Sequence, residues 1–424
     1  MDVFKQMHDG GHEEVVFARD AEAGLTAIIA IHSTTLGPAL GGTRMYPYAT
    51  EDQALRDVLE LSRGMTYKAA AAGLNLGGGK AVIIGDPRRD KKASVFRAFG
   101  RFVERMNGRF YTGEDVGTNM SDMDDVRQET RFVGGVSPER GGAGDPSPVT
   151  AYGVLQGMKA CAAERWGRDF LDGRRVAIQG LGKVGWHLTE LLQQAGAIVI
   201  GSDVNHEQRT RAQKQLGIHT VDPEDIYDVP VDIFAPCAMG GAISERTLAR
   251  LTCEVIAGSA NNQIDGKAVP GLILQRGILY APDYVINSGG LIHVYVELHG
   301  YDRARALTLT GEIYGRLRNV FKVARDFDIP TSVAADRMVE RRLTEERRRK
   351  IMTNDVDSAA VTRRDSAQAV NHRAGRMRLA MKRADLAVVA PAEPHDKPAC
   401  REINRLDPHK HNVSNHHCMN QEKQ

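Results

Sequence analysis

Two short segments near the start of the chain are rich in apolar and β-branched residues, which is typical of β-strands. The segments are EVVFARD at residues 14–20 and LTAIIAIH at 25–32, and turn residues separate them. A third apolar run, AVII at 81–84, directly follows three glycines and Lys80. We expect this third run to be a short buried strand.

Helical periodicity, with apolar residues three and four positions apart, predicts the helices of the first half of the chain. They span residues 51–70 and 92–108, and an Asn-Gly pair ends the second helix. The segment GGAGDPSPVT at 141–150 is rich in Gly, Pro and Ser and predicts an interdomain hinge. A further helix is predicted at 149–166.

The second half alternates short apolar strands with helical stretches, which predicts a parallel sheet wound with helices. The predicted strands are RVAIQ at 175–179, AIVIGSD at 197–203, DIFAPC at 232–237, VIAGSA at 255–260 and ILYAPDYVIN at 278–287. Two amphipathic helices are predicted after them, at 301–326 and 332–350, and the first of these stops near Pro330.

The character of the chain changes at about Ile351. From there to Gln424 it is polar, with Arg and Lys pairs and few large apolar residues. Histidines and Cys418 near its end leave two alternatives open, a metal-binding tract or a poorly ordered tail. The composition is too polar to bury a core, which favours the tail, and we predict no metal site.

Composition and charge narrow the class of protein. A chain of 424 residues is long enough for two domains with separate cores. Its net charge of +2 does not indicate that the chain binds nucleic acid or an acidic partner. Five scattered cysteines without CxxC spacing fit a reducing cytosol. Because no signal peptide is evident and no apolar run reaches the roughly 18 residues of a membrane span, we expect a cytoplasmic protein.

The glycine run before Lys80 resembles a phosphate-binding loop, but the details do not fit one. Ala81 stands where such a loop needs Ser or Thr, and a strand follows instead of a helix. The glycines therefore predict close backbone approach to a partly desolvated lysine, which can lose its proton near neutral pH and act as a base. The alternative is a glycine-rich turn with a solvated lysine.

A dinucleotide-binding fingerprint follows the strand at 175–179 and opens a helix. Its residues are Gly180, Leu181, Gly182, Lys183, Val184 and Gly185. Gly180 makes the tight turn, Gly182 lets a pyrophosphate approach the helix N-terminus, and Gly185 lets the helix pack closely. Asp203, at the end of the next strand, would accept hydrogen bonds from the adenosine ribose, so NAD is favoured over NADP.

A nicotinamide cofactor implies hydride transfer, and the first half of the chain offers two lysines and an acid for it. They are Lys68 in GMTYKAA, Lys80 in GGGKA and Asp115 in YTGEDVGT. Two lysines suit an amino acid, because one ammonium can hold the α-carboxylate while the other, with its pKa lowered by its neighbour and by burial, serves as a base. A carboxylate suits the substrate ammonium.

At this point the chain resembles the Glu/Leu/Phe/Val dehydrogenases, most of all their leucine, valine and phenylalanine branch. The motifs that carry the resemblance are LGPALGGTRMYPY, GMTYKAAAAGLNLGGGKAVIIGDP, YTGEDVGT, GDPSPVTAYGV, APCAMGGAI, AGSANNQ and ILYAPDYVINSGG. They cover about residues 10 to 345. The resemblance implies NAD-dependent, reversible oxidative deamination of an apolar L-amino acid to the 2-oxo acid, ammonia and NADH, by a homo-oligomer of between two and eight subunits.

The resemblance also implies an α/β fold with two domains and a cleft between them. The first, at 1–148, is a mixed-sheet substrate domain, and the second, at 149–325, is a Rossmann dinucleotide-binding domain. Helices at 326–350 return toward the first domain, and 351–424 form the polar tail.

The resemblance assigns roles position by position. Lys68 binds the substrate carboxylate with the backbone at Gly41 and Gly42, Lys80 activates water, and Asp115 handles the amino group and its protons. The positions around the nicotinamide and the substrate amine are Thr150, Asn261, Asn262 and Asn287, with Asn262 on the substrate and the other three on the cofactor.

The substrate side chain is the least determined part of the prediction. Leu40 stands where glutamate enzymes carry a lysine, which argues for an apolar side chain. Gly113 with Leu291, and Val294 nearby, is the pairing of phenylalanine enzymes, whereas the flanking sequence resembles leucine and valine enzymes. Two rivals remain: a family member that uses the imino or 2-oxo acid in biosynthesis, and a catalytically silent NAD-binding protein.

Overall fold

The computed structural model describes the backbone of residues 2–385 and the side chains of 2–353 and 371–379. Residues Met1–Thr353 belong to one compact unit. Beyond it, only helical backbone up to Asp385 and the exposed side chains of 371–379 are described. The histidine tract near the end of the tail lies outside the described residues. None of the helices described is long and apolar enough to cross a membrane.

The first sheet has six strands in the order β1-β2-β5-β3-β6, with β4 paired to β5. The strands are β1 Glu14–Asp20, β2 Leu25–Ser33, β3 Ala39–Leu40, β4 Thr43–Tyr46, β5 Gly77–Ile84 and β6 Phe110–Tyr111. β1 pairs antiparallel with β2, and β2 with β5, whereas β3 and β4 run parallel to β5. The predicted mixed sheet, the first two strands and the strand after the glycines are confirmed.

Four helices accompany this sheet. They are α1 Val3–Gly10, α2 Glu51–Ala71, α3 Ala93–Arg105 and α4 Met120–Arg127. α2 begins where the Thr50 side chain accepts a hydrogen bond from the backbone N–H of Gln53, and it buries Leu55 and Val58 against the sheet. The helices predicted at 51–70 and 92–108 are confirmed, while α1 and α4 were not predicted.

The second sheet is parallel throughout and has the order β12-β11-β10-β7-β8-β9. The strands are β7 Arg175–Gln179, β8 Ile198–Ser202, β9 His219–Thr220, β10 Ile233–Pro236, β11 Val255–Ile256 and β12 Leu279–Tyr280. The chain runs from β7 outward to β9 and returns to pair β10 with the other side of β7. This reversal is the switch point at which doubly wound sheets bind their ligands, and it confirms the predicted Rossmann fold.

The helices of the second half surround this sheet and lead out of it. They are α5 Ser147–Trp166, α6 Lys183–Gln194, α7 His206–Leu216, α8 Glu245–Arg250, α9 Val269–Gln275, α10 Asp283–Ile286, α11 Gly289–Glu297, α12 Arg303–Gly311, α13 Ile313–Phe327 and α14 Thr331–Asp385. Short 3-10 turns lie at Pro138–Arg140 and Asp225–Asp228.

Several predicted boundaries were wrong. The strand predicted at 278–287 ends at Tyr280, because Pro282 leads into α10, which buries Val285 and Ile286. The strand predicted at 255–260 is only two residues long.

Three helix predictions also differ from the structure. The helix predicted at 301–326 is divided at Glu312 into α12 and α13. The last four residues of the predicted hinge, from Ser147, already belong to α5. α14 does not end at Lys350 but continues to Asp385.

One hydrophobic cluster connects the two sheets. Leu74 and Leu76, which follow α2, are buried together with Val154 of α5 and Leu317 of α13. Arg342 of α14 donates hydrogen bonds to the carbonyl oxygens of Ala70 (2.6 Å) and Leu74 (2.9 Å) at the end of α2. These contacts place the C-terminal end of α2, which carries Lys68, against the helices of the second half.

Candidate active site

A cavity of about 330 Å³ lies where the two halves of the chain meet. Thirteen of the predicted site residues line it: Leu40, Gly41, Gly42, Lys68, Lys80, Gly113, Asp115, Thr150, Val184, Asn261, Asn287, Leu291 and Val294. Residues far apart in the sequence therefore converge on one space that is large enough to hold a small molecule.

The glycines around Lys80 let backbone segments touch. A Cβ on Gly41 would lie 1.7 Å from the carbonyl oxygen of Gly79, and one on Gly78 would lie 2.0 Å from the backbone nitrogen of Thr66. No side chain larger than hydrogen fits at such distances. The glycines thus bring α2, β5 and the loop after β3 together around Lys80, and they do not form a phosphate loop.

Lys80 is paired with Asp115 deep in the cavity. Its side chain is 5% exposed, and its Nζ lies 2.9 Å from Oδ1 of Asp115. The other oxygen, Oδ2, lies 3.0 Å from Nε of Arg44, which was not predicted as a site residue. Burial acts to raise the pKa of Asp115, but the Lys80 ammonium and the Arg44 guanidinium outweigh it and hold that pKa below its usual value. Asp115 is therefore ionised and held in place.

The surroundings of Lys68 lower its pKa. Burial, together with the charge of Lys80, brings the pKa of Lys68 down to about 8, although Asp283 and Asp115 act to raise it. Its Nζ donates a hydrogen bond to Oδ1 of Asn261 at 3.1 Å.

The two adjacent asparagines of the ANN motif face different surroundings. Asn261 lines the cavity, and its Oδ1 also accepts a hydrogen bond from Nδ2 of Asn287 at 2.8 Å. Asn262 has a φ of 50°, is exposed and is absent from the cavity lining. The structure therefore does not bring Asn262 to the cavity where the sequence placed it.

The fingerprint turn lies between β7 and α6 at the edge of the second sheet. Gly180 has a φ of +102°, and a Cβ there would come within 2.8 Å of Ala238. A Cβ on Gly185 would lie 2.0 Å from the carbonyl oxygen of Gly180, whereas one on Gly182 would meet no atom within 4 Å. Gly180 and Gly185 are thus required by packing, and Gly182 leaves the helix N-terminus open to an approaching anion.

The carboxylate of Asp203 is fixed beside this turn. Its Oδ2 accepts a hydrogen bond from the backbone N–H of Leu181 at 2.8 Å, and its Oδ1 accepts one from Asn205 at 2.8 Å. Lys183 is largely exposed, and its Nζ lies 3.3 Å from Oδ2 of Asp145 in the loop before α5. Of the fingerprint residues only Val184 reaches the main cavity, so the turn forms a separate part of the site.

Besides the predicted Leu291 and Val294, α11 contributes residues that were not predicted. Gly290, His293 and Glu297 also line the cavity, at the spacing of one helical stripe. Glu297 accepts a hydrogen bond at Oε1 from the backbone N–H of Gly135 at 2.9 Å, and burial raises the pKa of Glu297. The helical spacing in GGLIHVYVE was the signal that could have identified this stripe. Other lining residues not predicted are Met65, Glu114, Gly134, Gly135, Gly144, Pro146 and Ser259.

The Rossmann sheet is a dinucleotide-binding fold, and the cleft beside it holds two lysines and a carboxylate, which suit an amino-acid substrate. The sequence model of the protein family described as Glu/Leu/Phe/Val dehydrogenase, dimerisation domain, matches residues 12–132. A second family model, described as Glutamate/Leucine/Phenylalanine/Valine dehydrogenase, matches residues 141–206 and 202–326. The chain therefore belongs to the Glu/Leu/Phe/Val dehydrogenase family, which confirms the resemblance carried by its motifs.

Individual relatives cover most of the chain. It is 56% identical to the leucine dehydrogenase of Geobacillus stearothermophilus, over 81% of this chain and 94% of that enzyme. It is 50% identical to the phenylalanine dehydrogenase of Lysinibacillus sphaericus, over 80% of this chain and 90% of that enzyme. Among solved structures, the L-tryptophan dehydrogenase of Nostoc punctiforme superposes with a TM-score of 0.73 at 43% identity, covering 81% of this chain and 99% of that one.

Proposed function

We propose that this protein catalyses the reversible, NAD-dependent oxidative deamination of an apolar L-amino acid to a 2-oxo acid and ammonia. The convergence of Lys68, Lys80 and Asp115 in one cavity is the observation that carries the proposal. The leucine and phenylalanine dehydrogenases among its relatives support an apolar substrate. The family model described as a dimerisation domain supports a homo-oligomer, which light scattering would test.

Three polar side chains of the cavity have a role in this reaction. The Lys68 ammonium, beside the backbone at Gly41 and Gly42, holds the substrate carboxylate. Asp115 accepts a proton from the substrate ammonium, and Lys80 polarises the water that attacks the imino carbon. NAD, when bound, accepts the hydride from the substrate Cα. The Lys80 side chain is only 5% exposed, and this shielding from bulk water strengthens its charge interactions.

The fingerprint turn fits NAD. The open N-terminus of α6 at Gly182 can receive the pyrophosphate, and the fixed carboxylate of Asp203 can accept hydrogen bonds from the ribose hydroxyls. The residues proposed to hold the cofactor are Thr150, Gly180, Leu181, Gly182, Lys183, Val184, Gly185, Asp203, Asn261 and Asn287.

The direct test is NADH formation, followed at 340 nm (the absorbance maximum of NADH), with a panel of L-amino acids and ammonia release measured in parallel. We expect turnover with leucine, valine and phenylalanine and none with glutamate. Turnover with glutamate, or NADH formation without ammonia release, would contradict the proposed reaction.

Asp203→Asn is expected to weaken the preference for NAD. The side chain keeps its shape but loses the charge that repels a 2′-phosphate, and one such repulsion is worth at least about 1.4 kcal/mol, or tenfold. We expect the ratio of kcat/KM for NADP to that for NAD to rise by about that factor. Asp169→Asn, at an exposed carboxylate before β7, serves as the control. An unchanged ratio would mean that Asp203 does not face the ribose.

We infer that the apolar end of the cavity, near Leu40, Gly113 and Leu291, holds the side chain of the substrate and can accept an aromatic ring. Leu40 and Leu291 are buried apolar walls. A Cβ added to Gly113 would meet only the carbonyl oxygen of Gly134, at an ordinary contact distance of 3.5 Å. The position therefore accepts a methyl group without strain, and its absence leaves depth in the cavity. This geometry supports phenylalanine as a substrate beside leucine.

Gly113→Ala combined with Leu291→Val is expected to shift preference from phenylalanine toward leucine and valine. The two changes alter the depth and width of an apolar pocket, where a methylene is worth about 1–3 kcal/mol in relative kcat/KM. The Phe/Leu ratio of kcat/KM in the double variant measures the shift, and Leu274→Val on the exposed side of α9 is the matched control. An unchanged Phe/Leu ratio would show that neither residue lines the pocket for the substrate side chain.

A further inference from the structure

A second cleft, of about 380 Å³, shares one lining residue, Glu297, with the active-site cavity. Three arginines line it, Arg127 at the end of α4, Arg131 shortly after it, and Arg140 in the loop before α5. None of the three lines the active-site cavity. We call this space the arginine cleft, and the proposed reaction assigns it no role.

The lining of the arginine cleft has an excess of positive charge, with three arginines and one glutamate. Within the part of the chain that the structure describes, Arg127 and Arg131 have no carboxylate within 4.0 Å. Arg140 approaches Asp124 only at the 4.0 Å limit, and Asp124 also accepts a hydrogen bond from the backbone N–H of Ser137. The guanidinium of Arg131 lies 5.1 Å from the centre of the Phe132 ring, which holds it in place. Glu297 is the one acid of the lining; its Oε1 accepts a hydrogen bond from the backbone N–H of Gly135, and its Oε2 has no hydrogen-bond partner among the described residues. One carboxylate therefore faces three guanidinium groups.

Three guanidinium groups from separate segments suit a particular kind of anion. Each offers a planar fork of donors, which binds two oxygens of a carboxylate or phosphate at once. A single carboxylate has only two oxygens and can satisfy one fork, whereas adjacent phosphates present oxygens in several directions. We propose that the arginine cleft binds a small anion with linked phosphate groups, with pyrophosphate as its simplest representative.

The position of the cleft couples such a ligand to the active site. Its walls come from the first half of the chain, from the loop before α5 and from the C-terminal end of α11. Glu297 forms the partition, since it lines both spaces and binds the backbone N–H of Gly135, which itself lines the active-site cavity. A bound anion would hold these three segments together, and the KM for the amino acid would change with it.

Calorimetric titration of the full chain with pyrophosphate tests the proposal. We expect saturable binding that weakens at high salt, and at least tenfold weaker binding in the Arg127→Ala, Arg131→Ala double variant. Arg105→Ala is the matched control, because that guanidinium also lies over a phenylalanine ring, at 4.8 Å. Orthophosphate and acetate distinguish linked phosphates from a single anion, and we expect both to bind more weakly than pyrophosphate.

Each alternative outcome is distinguishable. Binding that survives in the double variant would place pyrophosphate elsewhere, such as the Gly182 turn, and would overturn the proposal. Acetate binding as tightly as pyrophosphate would also overturn the assigned ligand class. Arg127→Lys with Arg131→Lys keeps the charges and is expected to retain part of the affinity. Because the titration needs no turnover, its result is independent of the proposed reaction.

Discussion

Lys80→Ala is expected to abolish deamination while leaving NADH affinity close to that of the unaltered protein. Loss of one proton-transfer group costs about 10²–10⁴ in rate. The side chain is buried beside Asp115, whereas the fingerprint turn at Gly182 lies in the other half of the chain. Turnover with leucine or phenylalanine measures the first effect, and titration of NADH fluorescence measures the second.

The fold is expected to tolerate this change. Without Lys80 the carboxylate of Asp115 keeps its ion pair with Arg44 at 3.0 Å, so no buried charge is left alone. Lys92→Ala, at an exposed lysine just before α3, is the control and should retain full activity. If Lys80→Ala turned over at close to the normal rate, the lysine would have no part in the chemistry.

Gly78→Ala is expected to lower both stability and activity. The new Cβ would lie 2.0 Å from the backbone nitrogen of Thr66, so β5 and α2 must move apart. Overpacking of this kind costs about 1–3 kcal/mol and occasionally more. Lys68 lies two residues after Thr66 on α2, and Lys80 lies two residues after Gly78 on β5. The same movement would therefore separate the two lysines.

Gly64→Ala is the matched control for this prediction. It lies on α2 close to Thr66, but a Cβ there would meet no atom within 4 Å. In a helix the change from Gly to Ala is favourable by up to about 1 kcal/mol, so this variant should be more stable. Urea denaturation of both variants gives the comparison, and equal midpoints would show that the contact at Gly78 is not tight.

Features that depend on neighbouring residues could be predicted from the sequence. The fingerprint at Gly180 was identifiable because a strand, three glycines, a helix and a following acid all lie within one short segment. The first two strands and α2 were predictable from local periodicity and turn residues.

Features decided by tertiary contacts could not be predicted in this way. The apolar run of Asp283–Ile286 is compatible with either a strand or a helix, and packing beside α2 and α13 makes it helical. Asn261 and Asn262 are chemically identical, and only the folded backbone, which is left-handed at Asn262, distinguishes the one that lines the cavity from the one that does not. The pairing of Arg44 with Asp115 joins positions too distant in sequence for any spacing rule.

The hydrophobic cluster between α2, α5 and α13 has a consequence for how the molecule unfolds. Leu74 and Leu76 are covered by Val154 and Leu317. Either half of the chain on its own would expose this apolar surface to water, at a free-energy cost of about 25 cal/mol per Å². We therefore expect the unit that ends at Thr353 to melt in a single cooperative transition, with neither half persisting as a folded fragment. If the cleft opens, we expect the two halves to rotate about this cluster, so that the cluster stays buried throughout the movement.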